Sequence, residues 1–293
     1  MKRLTGLLLG LSVVLGGVSL GAAQEKPHPM GPPKVLTIIR EFVKPGKAGM
    51  VHEKAESAFV QAFARAKWPT HYLAVTSLSG KPRALFLVGY DSFAAWEKDN
   101  QATEKNAALA QALDRAGVAD GELLSGVDGG TLVYRPDYSL RAGVDIAHMR
   151  YFEISAFRVK QGHDKEWDEL VKLVMAAYEK IPGVHWAAYE GIYGVPGGTF
   201  IVFTPMKSLT EADEELAQNK QFEAAMGEGG MKKLRELSAA SIESSETNLF
   251  QFAPKMSYVS DDWVKADPDF WKPKAAAAAG AEKKPEKKPA AKP

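Results

Sequence analysis

The sequence predicts an α+β fold: two tandem ferredoxin-like βαββαβ units whose antiparallel sheets pack into an α+β barrel. Three observations predict it. One turn occurs twice at an offset of about 116 residues, as Val43-Lys44-Pro45-Gly46 and Val159-Lys160-Gln161-Gly162. Each turn follows a strand-like run and precedes an amphipathic stretch. A second pair of extended runs, a capped helical segment and a closing strand then follow in the same order in both copies.

The first strands are 35–42 (VLTIIREF) and 151–158 (YFEISAFR). Behind the first turn, Val51, Ala55, Ala58, Phe59, Ala62, Phe63 and Ala66 fall at helical spacing. Trp167, Val171, Val174, Met175 and Tyr178 take the first five of those places at offset 116. Pro69-Thr70-His71-Tyr72 and Gly183-Val184-His185-Trp186 open the second extended runs at offset 114. Glycine-bearing turns lead to the third strands, 84–90 (ALFLVGY) and 199–204 (TFIVFT). Ser92 and Ser208 are expected N-caps of the helices that follow, because a serine hydroxyl accepts from an otherwise orphaned backbone N–H. The closing strands are 131–135 and 248–252, with Pro136 and Pro254 ending the copies. Gly227-Glu228-Gly229-Gly230 reads as a loop interrupting the last helical segment.

These units set the organisation: a first repeat at 35–136, a linker at 137–148, a second repeat at 149–258 and an acidic, aromatic extension at 259–271. Helices cover one face of each sheet, and pairing the other two faces would close a barrel within one chain. A monomer with an internal pseudo-dimer is therefore expected rather than a homodimer. Leu36, Ile38, Phe152 and Ile154 are expected on the helix side. The opposite face carries Val35, Thr37, Ile39 and Glu41, matched by Tyr151, Glu153, Ser155 and Phe157, a mixture suited to a ligand cavity.

With both βαββαβ units and the segment 87–99 (LVGYDSFAAWEKD) in view, the chain resembles the dimeric α+β barrel superfamily, which includes antibiotic-biosynthesis monooxygenase-like and NIPSNAP-like domains. The resemblance spans about residues 35–258. It implies the barrel fold; the superfamily holds cofactor-independent oxygenases, haem-dependent enzymes, isomerases and proteins of unknown role, so it implies no single activity.

The ends differ from the body. Residues 1–23 carry Lys2 and Arg3, an apolar run from Leu7 to Leu20, and small residues before a cut after Ala23, the order of a secretory signal. Residues 24–34 form a linker. An exported, periplasmic or extracellular protein without an integral membrane segment after cleavage is expected. Residues 272–293 hold seven lysines and two glutamates among alanines and prolines, which reads as a disordered basic tail able to contact anionic envelope polymer or lipid. Between them, 28 basic residues stand against 34 acidic, so the body is near −6 and nucleic acid is not an expected partner. The absence of cysteine excludes disulfides, thiolate metal sites and cysteine nucleophiles.

Candidate chemistry rests on few residues. His71 and His185 are the histidines at matched positions, each beside an aromatic, and Glu153 lies mid-strand, where burial would raise its pKa; these three are the candidate catalytic groups. Thr37, Tyr151, Ser155, Tyr189 and Trp186 are candidate ligand-binding residues, with Glu190 a weaker addition. No metal site is expected, and no cofactor beyond a haem for which His52 would be the ligand. The last segment, with Asp261, Asp262, Asp267 and Asp269 beside Trp263, Phe270 and Trp271, fits no EF-hand spacing and is expected to dock on the body. Three functions stay open: a protein binding a small, partly apolar molecule in its barrel cavity, a cofactor-independent oxygenase-like enzyme acting on an aromatic or polycyclic molecule, and a non-catalytic interaction module.

Overall fold

A computed structural model describes residues 31–272; the expected signal, most of the following linker and the tail beyond Lys272 lie outside the described residues. The first repeat comprises β1 (Val35–Val43), α1 (Met50–Ala66), β2 (Tyr72–Ser77), β3 (Arg83–Tyr90), α2 (Phe93–Lys105), α3 (Ala107–Gly121) and β4 (Leu124–Tyr134). The second comprises β5 (Tyr151–Val159), α4 (Asp164–Tyr178), β6 (Ala187–Tyr193), β7 (Thr199–Met206), α5 (Thr210–Ser241) and β8 (Ile242–Phe252). Two short helices close the described chain, α6 (Asp261–Ala266) and α7 (Pro268–Trp271). The repeated turn is real in its backbone: Gly46 and Gly162 both adopt positive φ, 77° and 84°, which a side chain would disfavour.

All strand pairs are antiparallel, and the strands close a barrel in the order β1-β3-β2-β8-β5-β7-β6-β4. Each repeat supplies four neighbouring strands. The repeats meet at two seams, β2 with β8 through Val75↔Phe252 and β4 with β6 through Val133↔Glu190. Closure removes every free sheet edge.

The structure reverses the expected faces. Leu36, Ile38, Leu73, Val75, Leu85, Leu87, Leu132, Phe152, Ile154, Tyr189, Phe203, Phe250 and Phe252 form one buried cluster drawn from all eight strands, so they fill the barrel interior. Phe152 packs on Phe203 and Phe252 with ring centroids 5.6 and 4.8 Å apart. At one mouth, Trp271 joins this cluster and its indole N–H donates to the Ala147 carbonyl. Trp263, Val264 and Phe270 pack around it, so the acidic, aromatic segment contributes its apolar side chains to the barrel plug. The mixed face of β1 and β5 lies outside, beneath the helices. The reason is that strand residues alternate sides, so one wrong choice of phase moves every side chain across the sheet.

Two smaller expectations are corrected. Ser92 caps α2 as expected, accepting from the Ala95 N–H, but α5 starts at Thr210 without a side-chain cap, and Ser208 contributes only its carbonyl to the Glu211 N–H. The glycine cluster is not a loop: Gly227, at φ 66° and ψ 173°, breaks α5 at one residue and the helix resumes behind it.

Candidate functional site

In the second repeat, a cavity of about 310 Å³ separates the outer face of the sheet from α4 and α5. Phe157, Trp167, Phe200, Tyr178 and Trp186 supply aromatic walls. Trp167 lies 5.1 Å from the Phe200 ring, and Tyr178 meets Trp186 edge-on at 5.6 Å. The polar groups are few. Ser155 Oγ is 2.8 Å from Thr247 Oγ1, and the Trp186 indole donates to the Tyr138 carbonyl. The Trp167 indole N–H is buried with no hydrogen-bond partner. An unmade bond to a buried donor is costly, so a ligand acceptor there would relieve it. Glu153 also faces this cavity, and burial, with a smaller contribution from the charge of Glu215, raises its carboxyl above the ordinary value of 4.5.

That shift has a consequence for stability. The folded chain holds the Glu153 proton more tightly than the unfolded chain, so the contribution is complete below the unfolded pKa of about 4.3 and is lost as pH rises through the raised folded value. Urea unfolding across pH 4 to 7 should show the wild-type chain losing stability relative to Glu153→Gln as pH rises. Parallel curves would sink the assignment of a buried carboxyl.

The first repeat carries something different at the same sheet–helix interface. His52 and Glu56, one turn apart on α1, face Glu41 at the end of β1 and Asp120 near the end of α3. His52 Nε2 lies 3.1 Å from Glu41 Oε2, 3.3 Å from Asp120 Oδ1 and 3.9 Å from Glu56 Oε1. His52, Glu56 and Asp120 are each 2% exposed. Burial alone would lower the pKa of His52, but the carboxylates of Asp120, Glu41 and Glu56 outweigh it and raise the imidazole to about 9. Burial, reinforced by the charges of Glu41 and Asp120, raises Glu56 to about 9.

Two four-stranded sheets, each from one βαββαβ unit, thus join edge to edge with their helices outside. The fold is a dimeric α+β barrel held within one chain. No protein-family model matches the sequence, and no curated protein matches it. Among solved structures, this α+β barrel is similar to a monooxygenase-like protein of Fusobacterium nucleatum, with 14% identity over 75% of this chain and 93% of that one and a TM-score of 0.49. It is also similar to an anthrone oxidase-like protein (16% identity, 75% and 92% coverage, TM-score 0.49). A chlorite dismutase of Candidatus Nitrospira defluvii matches at 11% identity, 76% and 92% coverage and a TM-score of 0.44.

Within the barrel, the residues singled out in the sequence are dispersed. Glu153, Ser155 and Trp186 meet in the second-repeat cavity. Tyr151 shares the strand face of Glu153 but does not line that cavity. Tyr189 points into the barrel interior, its hydroxyl donating to the Pro33 carbonyl. Thr37 sits on the outer face of the other repeat, its hydroxyl 3.5 Å from the Val88 carbonyl. Glu190 pairs with Arg135 at 2.6 Å. His71 stacks on Tyr258 at 4.8 Å, and both ring nitrogens of His185 face backbone carbonyls, Gly183 at 2.8 Å and Pro205 at 2.9 Å. The two histidines and Glu153 therefore do not converge on one cavity. Nor does the haem reading fit: carboxylates crowd His52 Nε2, and no histidine lines the second-repeat cavity among the described residues. The sequence places Trp167 on the helix stripe without showing that its indole N–H lacks a partner, and it gives no partners for His52.

Proposed function

We propose that this chain binds a small, largely aromatic molecule bearing a hydrogen-bond acceptor, held between the sheet and the helices of the second repeat rather than inside the barrel. The observation that carries this reading is the apolar cavity with one unpartnered donor, the Trp167 indole, and one buried carboxyl, Glu153. Native mass spectrometry of protein purified from an exporting host should show a monomer carrying one small organic mass. After that mass is stripped, 1-aminoanthracene should bind once per chain and quench tryptophan fluorescence. A bare chain that also fails to bind 1-aminoanthracene would overturn the proposal.

The raised carboxyl of Glu153 favours a second reading, an enzyme of the cofactor-independent, oxygenase-like kind. Glu153 would take a proton from the bound aromatic while the walls exclude water. Glu153→Gln separates the readings: binding retained with turnover of an identified substrate lost marks an enzyme acting through Glu153, whereas a wild-type chain that binds its molecule and returns it unchanged marks a binding protein.

Export is part of the proposal. The mature chain should begin at Gln24, which N-terminal sequencing of the periplasmic or secreted protein would check; a chain still beginning at Met1 would count against it. Among the described residues, no helix is long and apolar enough to cross a membrane. The basic tail at 272–293 would then meet anionic envelope polymer or lipid.

A further inference from the structure

We infer that Glu41, His52, Glu56 and Asp120 form a binding site for a first-row divalent cation, of the Mn²⁺, Fe²⁺ or Zn²⁺ class, in the first repeat. The ligand atoms of the four residues lie within 4.8 Å of one another. Three oxygens stand 3.1, 3.3 and 3.9 Å from His52 Nε2. Ligands about 2.1 Å from one ion in tetrahedral array are roughly 3.4 Å apart, so the set is already close to coordinating spacing. Three carboxylates with one imidazole suit a first-row divalent ion better than calcium, which favours oxygen alone, or copper(I), which favours sulfur.

Unmade bonds point to the same place. Glu56 Oε1 and Asp120 Oδ1, on residues 98% removed from solvent, make no well-aligned hydrogen bond, and the nearest donor to Asp120 Oδ1 is His52 Nε2 at 3.3 Å. The Tyr72 hydroxyl is likewise buried without a partner and is close enough to Glu56 and Glu41 to feel their charge. Buried polar atoms in folded proteins are nearly always satisfied, and several orphans around one point need a common partner. Glu41, with its side chain 12% exposed, marks the side from which an ion would enter.

The second repeat shows that the scaffold does not require this cluster. The equivalent positions there are Phe157, Trp167, Val171 and Ser238, all of them walls of the apolar cavity. The equivalence follows from shared structure. Val43 pairs with Leu124 as Val159 pairs with Ile242, and Ala62 and Ala177 are the matched buried alanines of α1 and α4. Three acids and a histidine, at a place where Phe157, Trp167, Val171 and Ser238 serve equally well, are costly to bury in their charged forms, and a bound cation would offset that cost.

The test uses the full-length chain without an affinity tag, stripped with a chelator and titrated with Mn(II) and with Zn(II). One ion per chain at about micromolar affinity or tighter is expected. Pulsed EPR of the Mn(II) form should show nitrogen coupling from the single imidazole. Glu56→Gln and Asp120→Asn should weaken binding by at least the ~10–100-fold typical of losing even an outer-shell partner. Glu53→Gln, on the same helix but paired outward with Lys255, should leave it unchanged. No stoichiometric binding of either ion overturns the inference, as does binding undiminished in both variants. If those variants do not fold, the wild-type spectrum decides, and absence of nitrogen coupling overturns it.

Discussion

Phe252→Ala is expected to lower the free energy of unfolding by about 3–5 kcal/mol, among the largest effects of any single substitution in this chain. Phe252 is 1% exposed, closes the β2–β8 seam opposite Val75, and lies 4.8 Å from the Phe152 ring and 6.3 Å from Trp271. Its loss would open a void in the barrel interior, where closure from all sides leaves little room to relax. Leu132→Ala, fully buried on β4, should cost about 2–5 kcal/mol for the same reason. Phe157→Ala, on the opposite sheet face and already beside a cavity, should cost less than Phe252→Ala. Urea unfolding followed by circular dichroism ranks the three. If Phe157→Ala proved the costliest, the barrel interior would not be the principal core.

The faces of the sheet lie the opposite way from the one the sequence implied, and the cause is instructive. Turn chemistry repeats locally, so Val43-Lys44-Pro45-Gly46 and its partner turn made the duplication legible, and with it the order of strands, the closure and the single-chain barrel. Facing is not local. Both faces of β1 and β5 carry large apolar residues, Leu36, Ile38, Phe152 and Ile154 on one side and Ile39, Tyr151 and Phe157 on the other. The mixed face suits a ligand cavity, and on that ground the sequence assigns it to the lumen. Yet the lumen of an eight-stranded barrel is narrow enough to be filled by side chains, and the space lies under the helices.

The acid–histidine cluster was hidden by a drift in the repeat. The offset is 116 at the turns and 114 at the second strands, and α1 against α4 falls between them at 115, as the pairs His52 with Trp167 and Ala62 with Ala177 show. Held at 116, the helix stripe began at Val51, which is 48% exposed. Moved by one residue it begins at His52 and continues through Glu56. The available signal was the spacing of His52 and Glu56, four residues apart on one helix face. Glu41 and Asp120 come from a strand and a distant helix, and only tertiary structure joins them to that pair.

Val171→Phe is expected to weaken 1-aminoanthracene binding by about tenfold or more, a loss of at least ~1.4 kcal/mol, while leaving stability equal or higher. Val171 is half-buried on α4 and lines the cavity with Trp167 and Val174. A phenyl group there would occupy space that the ligand needs, and filling a void with apolar atoms commonly stabilises a fold. Fluorescence titration and thermal unfolding on the same samples read both quantities. The pairing matters, because a variant that loses binding by unfolding would also lose stability, whereas a filled cavity would not. Thr37→Val, on the outer face of the other repeat, should leave binding unchanged. Should Val171→Phe bind as tightly as the wild type, the ligand would have to lie elsewhere. The pocket beside His148 and His185, lined by Asp145, Lys207 and Glu211, is far more polar in its residues and would then call for an anionic or zwitterionic molecule in place of an aromatic one.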